Sequence, residues 1–205
     1  MNKSFALLET QGVAAAFYGL DAMLKNTNVS YVGDEKNLGA GLATVIISGN
    51  ISAVRNAIEI GKNEAKKINK VLTASYISNP HSEIVSFIYR NNPDYKNKEI
   101  KKKKDIKEDK KSIGFVEIYG YAASLIAADA ALKSSNVSLL ALDKTKGKAN
   151  TPGLIMFLKL AGNVDAVKTA VEVAVETAKK YNDTVSHTVI AQPDAMIKRM
   201  IKEGI

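Results

Sequence analysis

The stretch DAMLKNTNVS, Asp21 to Ser30, returns as DAALKSSNVS at Asp129 to Ser138, identical at seven of ten positions and 108 residues further on. In a chain of 205 residues, a repeat of this kind restricts the fold to two copies of one unit. The same offset pairs Glu9 with Glu117, Gly12 with Gly120 and Ala14-Ala15 with Ala122-Ala123. Further along the offset becomes 113, pairing Gly49-Asn50 with Gly162-Asn163, Glu59 with Glu172 and Pro80 with Pro193. The second copy therefore carries five extra residues between Ser138 and Gly162. The division this implies is a first unit at 1–90, a linker at 91–112 and a second unit at 113–205.

Each unit has the same predicted order. FALLET and GFVEIYG are short apolar runs that end at glycine and suit strands. Val13, Ala16, Phe17, Leu20 and Leu24 follow at helical spacing. VSYV and VSLLAL, then LATVIIS and LIMFLKLA, are β-rich. Ser52 and Asp165 are placed as N-caps of a second helix, whose apolar stripe includes Val54, Ala57 and Gly61 in one copy and Val167, Ala170 and Ala174 in the other. A last strand leads to Pro80 or Pro193, each expected in the first turn of a short terminal helix. The fold class is α+β, a mainly antiparallel sheet with helices on one side, related to ferredoxin-like units.

Composition narrows the chemistry. Cysteine is absent, which excludes disulfides, thiolate metal sites and iron–sulfur clusters. Of the net charge of +8, residues 95–112 hold nine lysines against four acidic residues, leaving +3 for the rest. That run lacks arginine, has acidic residues interspersed and reads as a solvated linker rather than a nucleic-acid surface. The opening MNKSFALLETQGVAAAFYG is interrupted by Glu9 and echoed inside the chain, so it is expected to be structure and not a leader. No apolar run reaches the roughly 18 residues that span a bilayer. No phosphate loop or dinucleotide fingerprint appears. His81 and His187 fall at different repeat positions, and the duplicated Glu9/Glu117 and Asp21/Asp129 suggest hydrogen bonds of a shared fold rather than one acid–base site. No enzyme activity, metal or cofactor is expected.

The series LLETQG, DAMLKNTNVS, GAGLATVIISGNISAV and YISNPH resembles the bacterial microcompartment shell (BMC) domain, and two copies in direct order resemble its tandem-domain type. The resemblance implies a homotrimer that imitates a hexagonal tile, with a central pore for small polar or anionic metabolites. It further implies partners among other shell proteins and enclosed enzymes, in the cytoplasm, with no membrane or nucleic acid. Lys36, Asn37, Leu38, Gly39, Ala40 and Gly41 match the family's pore loop with one residue added. In the second unit Lys146, Gly147, Lys148, Ala149, Asn150, Thr151, Pro152 and Gly153 form a longer counterpart. Lys25 and Lys133 match its tile-edge lysine, and a lysine in a last helical turn also simply complements the helix dipole. Asn79 and Gln192 stand where some members carry an edge arginine. Lys144, Lys146 and Lys148 either face the opening, giving a ring of nine positive charges in a trimer, or point into solvent. Gly147 and Gly153 either hinge a gate or sit in a fixed loop. A trimeric module that binds a small regulatory molecule is the alternative function.

Overall fold

The computed structural model describes residues 4–36, 38–90, 112–145 and 154–203. The first unit runs β1 (Ser4–Gln11), α1 (Val13–Asn26), β2 (Ser30–Glu35), β3 (Leu42–Gly49), α2 (Ile51–Lys66), β4 (Val71–Ile77) and α3 (Ser82–Tyr89). The second repeats it as β5 (Ser112–Tyr119), α4 (Tyr121–Ser134), β6 (Ser138–Thr145), β7 (Ile155–Gly162), α5 (Val164–Ala178), β8 (Thr184–Ile190) and α6 (Ala195–Glu203). Both sheets have four strands, in the orders β2-β3-β1-β4 and β6-β7-β5-β8. Every pairing is antiparallel, and corresponding bulges interrupt β2 after Tyr31 and β6 after Leu139.

Local signals account for the boundaries. Gly12 and Gly120 turn the first strand into the first helix at φ +88° and +87°, a left-handed backbone that a side chain would strain. The second helices are capped two residues earlier than expected. Asn50 and Asn163, not Ser52 and Asp165, take the cap position, and Asn50 Oδ1 accepts from the Ala53 amide at 2.8 Å. Asp165 instead sits in the first turn, where its charge complements the dipole. Pro80 and Pro193 also lie outside the helices they precede. The first-turn acceptors are His81 Nδ1, 3.3 Å from the Glu83 amide, and Asp194 Oδ1, 2.8 Å from the Met196 amide. Each proline precedes the residue whose side chain accepts from the first turn, which places it one position outside the cap.

Alternation along β1 divides the packing. Ala6 and Leu8 face a core with Ala16, Leu20, Met23, Val54 and Ala57 of α1 and α2. Where α1 crosses α2, a Cβ on Gly19 would lie 2.7 Å from the Gly61 carbonyl oxygen, so the two backbones meet directly. Phe5 and Leu7, on the opposite face, belong to a second core that also contains α3 and almost the whole of α4. The expectation of helices on one side is thus corrected. The first sheet carries its own α1 and α2 on one face and the other unit's α4 on the other. The linked core makes the two units one body energetically.

The repeat is conserved in backbone but not in surroundings. Tyr121, Leu125, Ile126 and Leu132 of α4 are 0–8% exposed, whereas Val13, Phe17, Tyr18 and Leu24 at the same places on α1 are 38–48% exposed. One copy of the helix is a core element, and its twin shows the same apolar stripe at the surface.

Candidate pore and edge sites

The seam between the units is built on polar contacts as well as on α4. Glu9, in the middle of the first sheet, is fully buried. Its Oε2 accepts from the Tyr121 and Ala122 amides at 2.9 and 3.0 Å and from the Thr44 hydroxyl at 2.8 Å. These amides are free donors of the first turn of α4, and a carboxylate there meets the positive end of the helix dipole. Burial nevertheless outweighs these donors and raises the Glu9 pKa above its ordinary value. Oε1 has no partner among the described residues and lies where a side chain on Gly120 would collide with it, at 2.7 Å. Further along the seam Asp129 accepts from the His81 amide at 2.7 Å. Tyr181 meets the Ser75 hydroxyl at 3.0 Å, and the Leu139 amide donates to Glu83 at 2.6 Å. The duplicated acids are therefore hydrogen-bonding and ion-pairing residues of the fold, as their recurrence suggested, but one copy of each, Glu9 and Asp129, reaches across the seam while Glu117 and Asp21 pair within their own units.

The turn from β2 to β3 has an unusual backbone. Gly39, Ala40 and Gly41 all have positive φ, at 74°, 49° and 70°. A Cβ on either glycine would meet nothing within 4 Å, so conformation and not space demands glycine there. The turn is tied down by Leu42 N to Gly39 O at 3.0 Å and by Gly12 N to Gly41 O at 2.7 Å. Leu38 is buried in the shared core, an anchor rather than a lining residue. Lys36 lies 3.2 Å from Asp34 and 4.9 Å above the Phe17 ring. Asn37 lies outside the described residues, as does the whole of Lys146 to Gly153. Lys144 does not stand in that loop. It is the penultimate residue of β6, pairs across the seam with Glu35 and sits 5.7 Å above Tyr121. Its charge is therefore locally balanced, which removes three of the nine unpaired charges expected of a ring of three copies.

The edge candidates separate in the same way. Lys25 pairs with Asp21 at 2.7 Å on the exposed end of α1. Lys133 pairs with Asp129 and also donates to the Ser78 carbonyl at 2.9 Å, so it straddles the seam. Asn79 takes φ +45° before Pro80, a conformation that asparagine tolerates better than most residues. Gln192, its repeat equivalent, is exposed and has no such backbone.

Sequence reasoning missed Lys159, a fully buried cation where the first unit has Ile46. Its Nζ lies 2.8 Å from Asp143 Oδ2 and 4.7 Å above the Phe157 ring. Nζ forms no aligned hydrogen bond among the described residues, so the pair is held by charge alone. The signal lay in the repeat, as a charged residue replacing an apolar one inside an otherwise apolar strand. Because Asp143 is 40% exposed, replacing the buried lysine with an apolar side chain removes a buried charge without stranding another. Lys159→Met is expected to leave stability unchanged or raise it by about 1–2 kcal/mol, read from denaturant midpoints; a clear loss would show that the cation holds β6 on β7.

The profile of the BMC domain matches residues 4–80 and again 112–193. The chain belongs to the BMC-domain family. Two BMC domains stand in tandem, each beginning with its first strand. The chain is 28% identical over 204 residues to the bacterial microcompartment shell protein PduT of Citrobacter freundii, covering 100% of both chains. A single BMC unit is 38% identical over 83 residues to the shell protein PduA of the same organism, covering 40% of this chain and 88% of that one. In structure it is similar to a microcompartments protein from Desulfitobacterium hafniense DCB, with a TM-score of 0.68 and 26% identity over 97% of this chain and 99% of the other. No helix among the described residues is long and apolar enough to cross a membrane.

Proposed function

We propose that this tandem BMC protein is a structural shell component of a bacterial microcompartment, and that three copies close six BMC domains around a central pore that passes small metabolites. The observation that carries the reading is the seam itself, in which the Lys144–Glu35 bridge brings the end of β6 beside the end of β2. The connections that follow these strands in sequence therefore start from the same end of the seam, the first as the turn Lys36 to Gly41 and the second at Thr145, after which residues 146–153 lie outside the described residues. Repeated around a ring, that end becomes the rim of an opening. Unequal turn lengths make the opening threefold. Relatives named as shell proteins support the same role. Lys25, Lys133, Asn79 and Gln192 then lie toward the rim of the tile, and the segment 91–111 links its two domains, Ser112 being already the first residue of β5.

Light scattering on the purified chain is expected to give the mass of three chains, and electron microscopy of concentrated samples to give sheets or tubes. A stable monomer or dimer that forms no layers would instead favour the small-molecule regulatory module.

A further inference from the structure

The seam between the two domains is complete inside one chain, while both of its halves recur on that chain without the facing surface that completes the seam. One half is α1 with its exposed apolar stripe, together with Ile68, 50% exposed, at the place of Tyr181. The other is the outer face of the second sheet. There Phe115 and Phe157, half-buried with ring centres 5.1 Å apart, stand where Leu7 and Thr44 are fully buried under α4. Val185, Met196 and Met200 are exposed beside them; their first-domain counterparts Leu72, Glu83 and Phe87 are packed or engaged at the seam.

The polar parts recur as well. Glu117 is the counterpart of Glu9, half-buried, with the Ser186 hydroxyl on its Oε2 in place of Thr44. The surroundings of Gly12 reproduce those of Gly120, including an asparagine amide, Asn69 at 3.5 Å for one and Asn182 at 3.2 Å for the other. What Gly12 lacks is the carboxylate, since Glu9 meets only Gly120. The Val13 and Ala14 amides make no hydrogen bond among the described residues.

We propose that Glu117 of one copy of this chain seats on the Val13 and Ala14 amides of the next, as Glu9 seats on Tyr121 and Ala122. The outer face of the second sheet then covers Phe17 and Leu24 of that neighbour. The occupant of each open half is a second copy, because the chain already displays the completed contact with both complementary surfaces. Such a contact is head-to-tail, with different patches on the two partners, so it builds a ring where the rotation closes, as the tile reading requires, and never a two-fold pair. The inference rests on the tile reading and assigns the residue that locks each joint between chains.

Two substitutions remove the contact from opposite sides. Glu117→Ala deletes the carboxylate. Val13→Pro deletes one amide at the first helical position, where proline is tolerated and the preceding Gly12 already has a suitable ψ of 135°. Val13→Ala controls for the side chain. Sedimentation equilibrium across a dilution series is expected to show each of the first two variants dissociating at least tenfold more readily than wild type. The double variant should be scarcely worse than either, since both remove one interaction. Circular dichroism should match wild type for all, which separates assembly from folding. A trimeric wild type whose Glu117→Ala and Val13→Pro variants dissociate no more readily overturns this joint and leaves the tile standing. A monomeric wild type overturns both.

Discussion

Leu125→Ala should lower the stability of the chain by about 3 kcal/mol, the usual cost of emptying a fully buried leucine site. For a protein of this size that is a fall of roughly 6–12 °C in the unfolding midpoint. Leu125 is 0% exposed and belongs to the core shared by both domains, so the loss falls on the seam and on α4 together. Phe17→Ala, at the same repeat position, should cost the separated chain only about 1 kcal/mol, because Phe17 is 39% exposed there and its main partner is Lys36 over its ring. Under the proposed joint its effect should instead depend on protein concentration, since the neighbouring copy would cover the rest of the ring. Unfolding of the two variants at two concentrations a hundredfold apart makes the distinction. Equal, concentration-independent losses would mean that α1 is covered within its own chain.

Glu9→Ala should be comparably damaging, about 3 kcal/mol, because it strands the Tyr121 and Ala122 amides and the Thr44 hydroxyl in a dry seam. Glu9→Gln should be far milder, since the amide oxygen still accepts from the helix. The two differ most in their pH dependence. Burial raises the Glu9 pKa above its ordinary 4.5, so the folded chain holds this proton more tightly than the unfolded one. Its contribution to stability is therefore full below 4.5 and is lost as pH rises through the folded value, after which it levels off. Wild type minus Glu9→Gln should show that decline with rising pH. A difference that grows with pH would mean that the helix donors outweigh burial and hold Glu9 ionised, and a flat one that the two cancel.

Much of this architecture is legible in one dimension because it was written twice. Repetition of Asp21–Ser30 at Asp129–Ser138 fixed the unit, and alternation and helical spacing supplied its element order. The glycine-bearing turn at Lys36–Gly41 was also visible, and positive φ at Gly39 and Gly41 fits its glycines, whereas Ala40 holds φ +49° between them. Boundaries were less secure. Ser and Asn both cap helices, and only the exit of β3 at Gly49 decided that Asn50 does so. The role of Leu38 was missed because an apolar residue in a turn looks the same whether it lines a surface or plugs a core.

The amino-acid order alone determined that two like α+β units occur, what elements they contain and that cysteine chemistry is absent. It was silent on which copy of each repeated residue would be engaged, because α1 and α4 carry the same stripe and the same acidic partner. Tertiary contact broke that equivalence, by burying α4 against the first sheet and leaving α1 open. Burial is a property of what lies opposite in space. A periodic pattern states that a helix has an apolar face, but only the packed neighbour decides whether that face is core or an interface still to be filled.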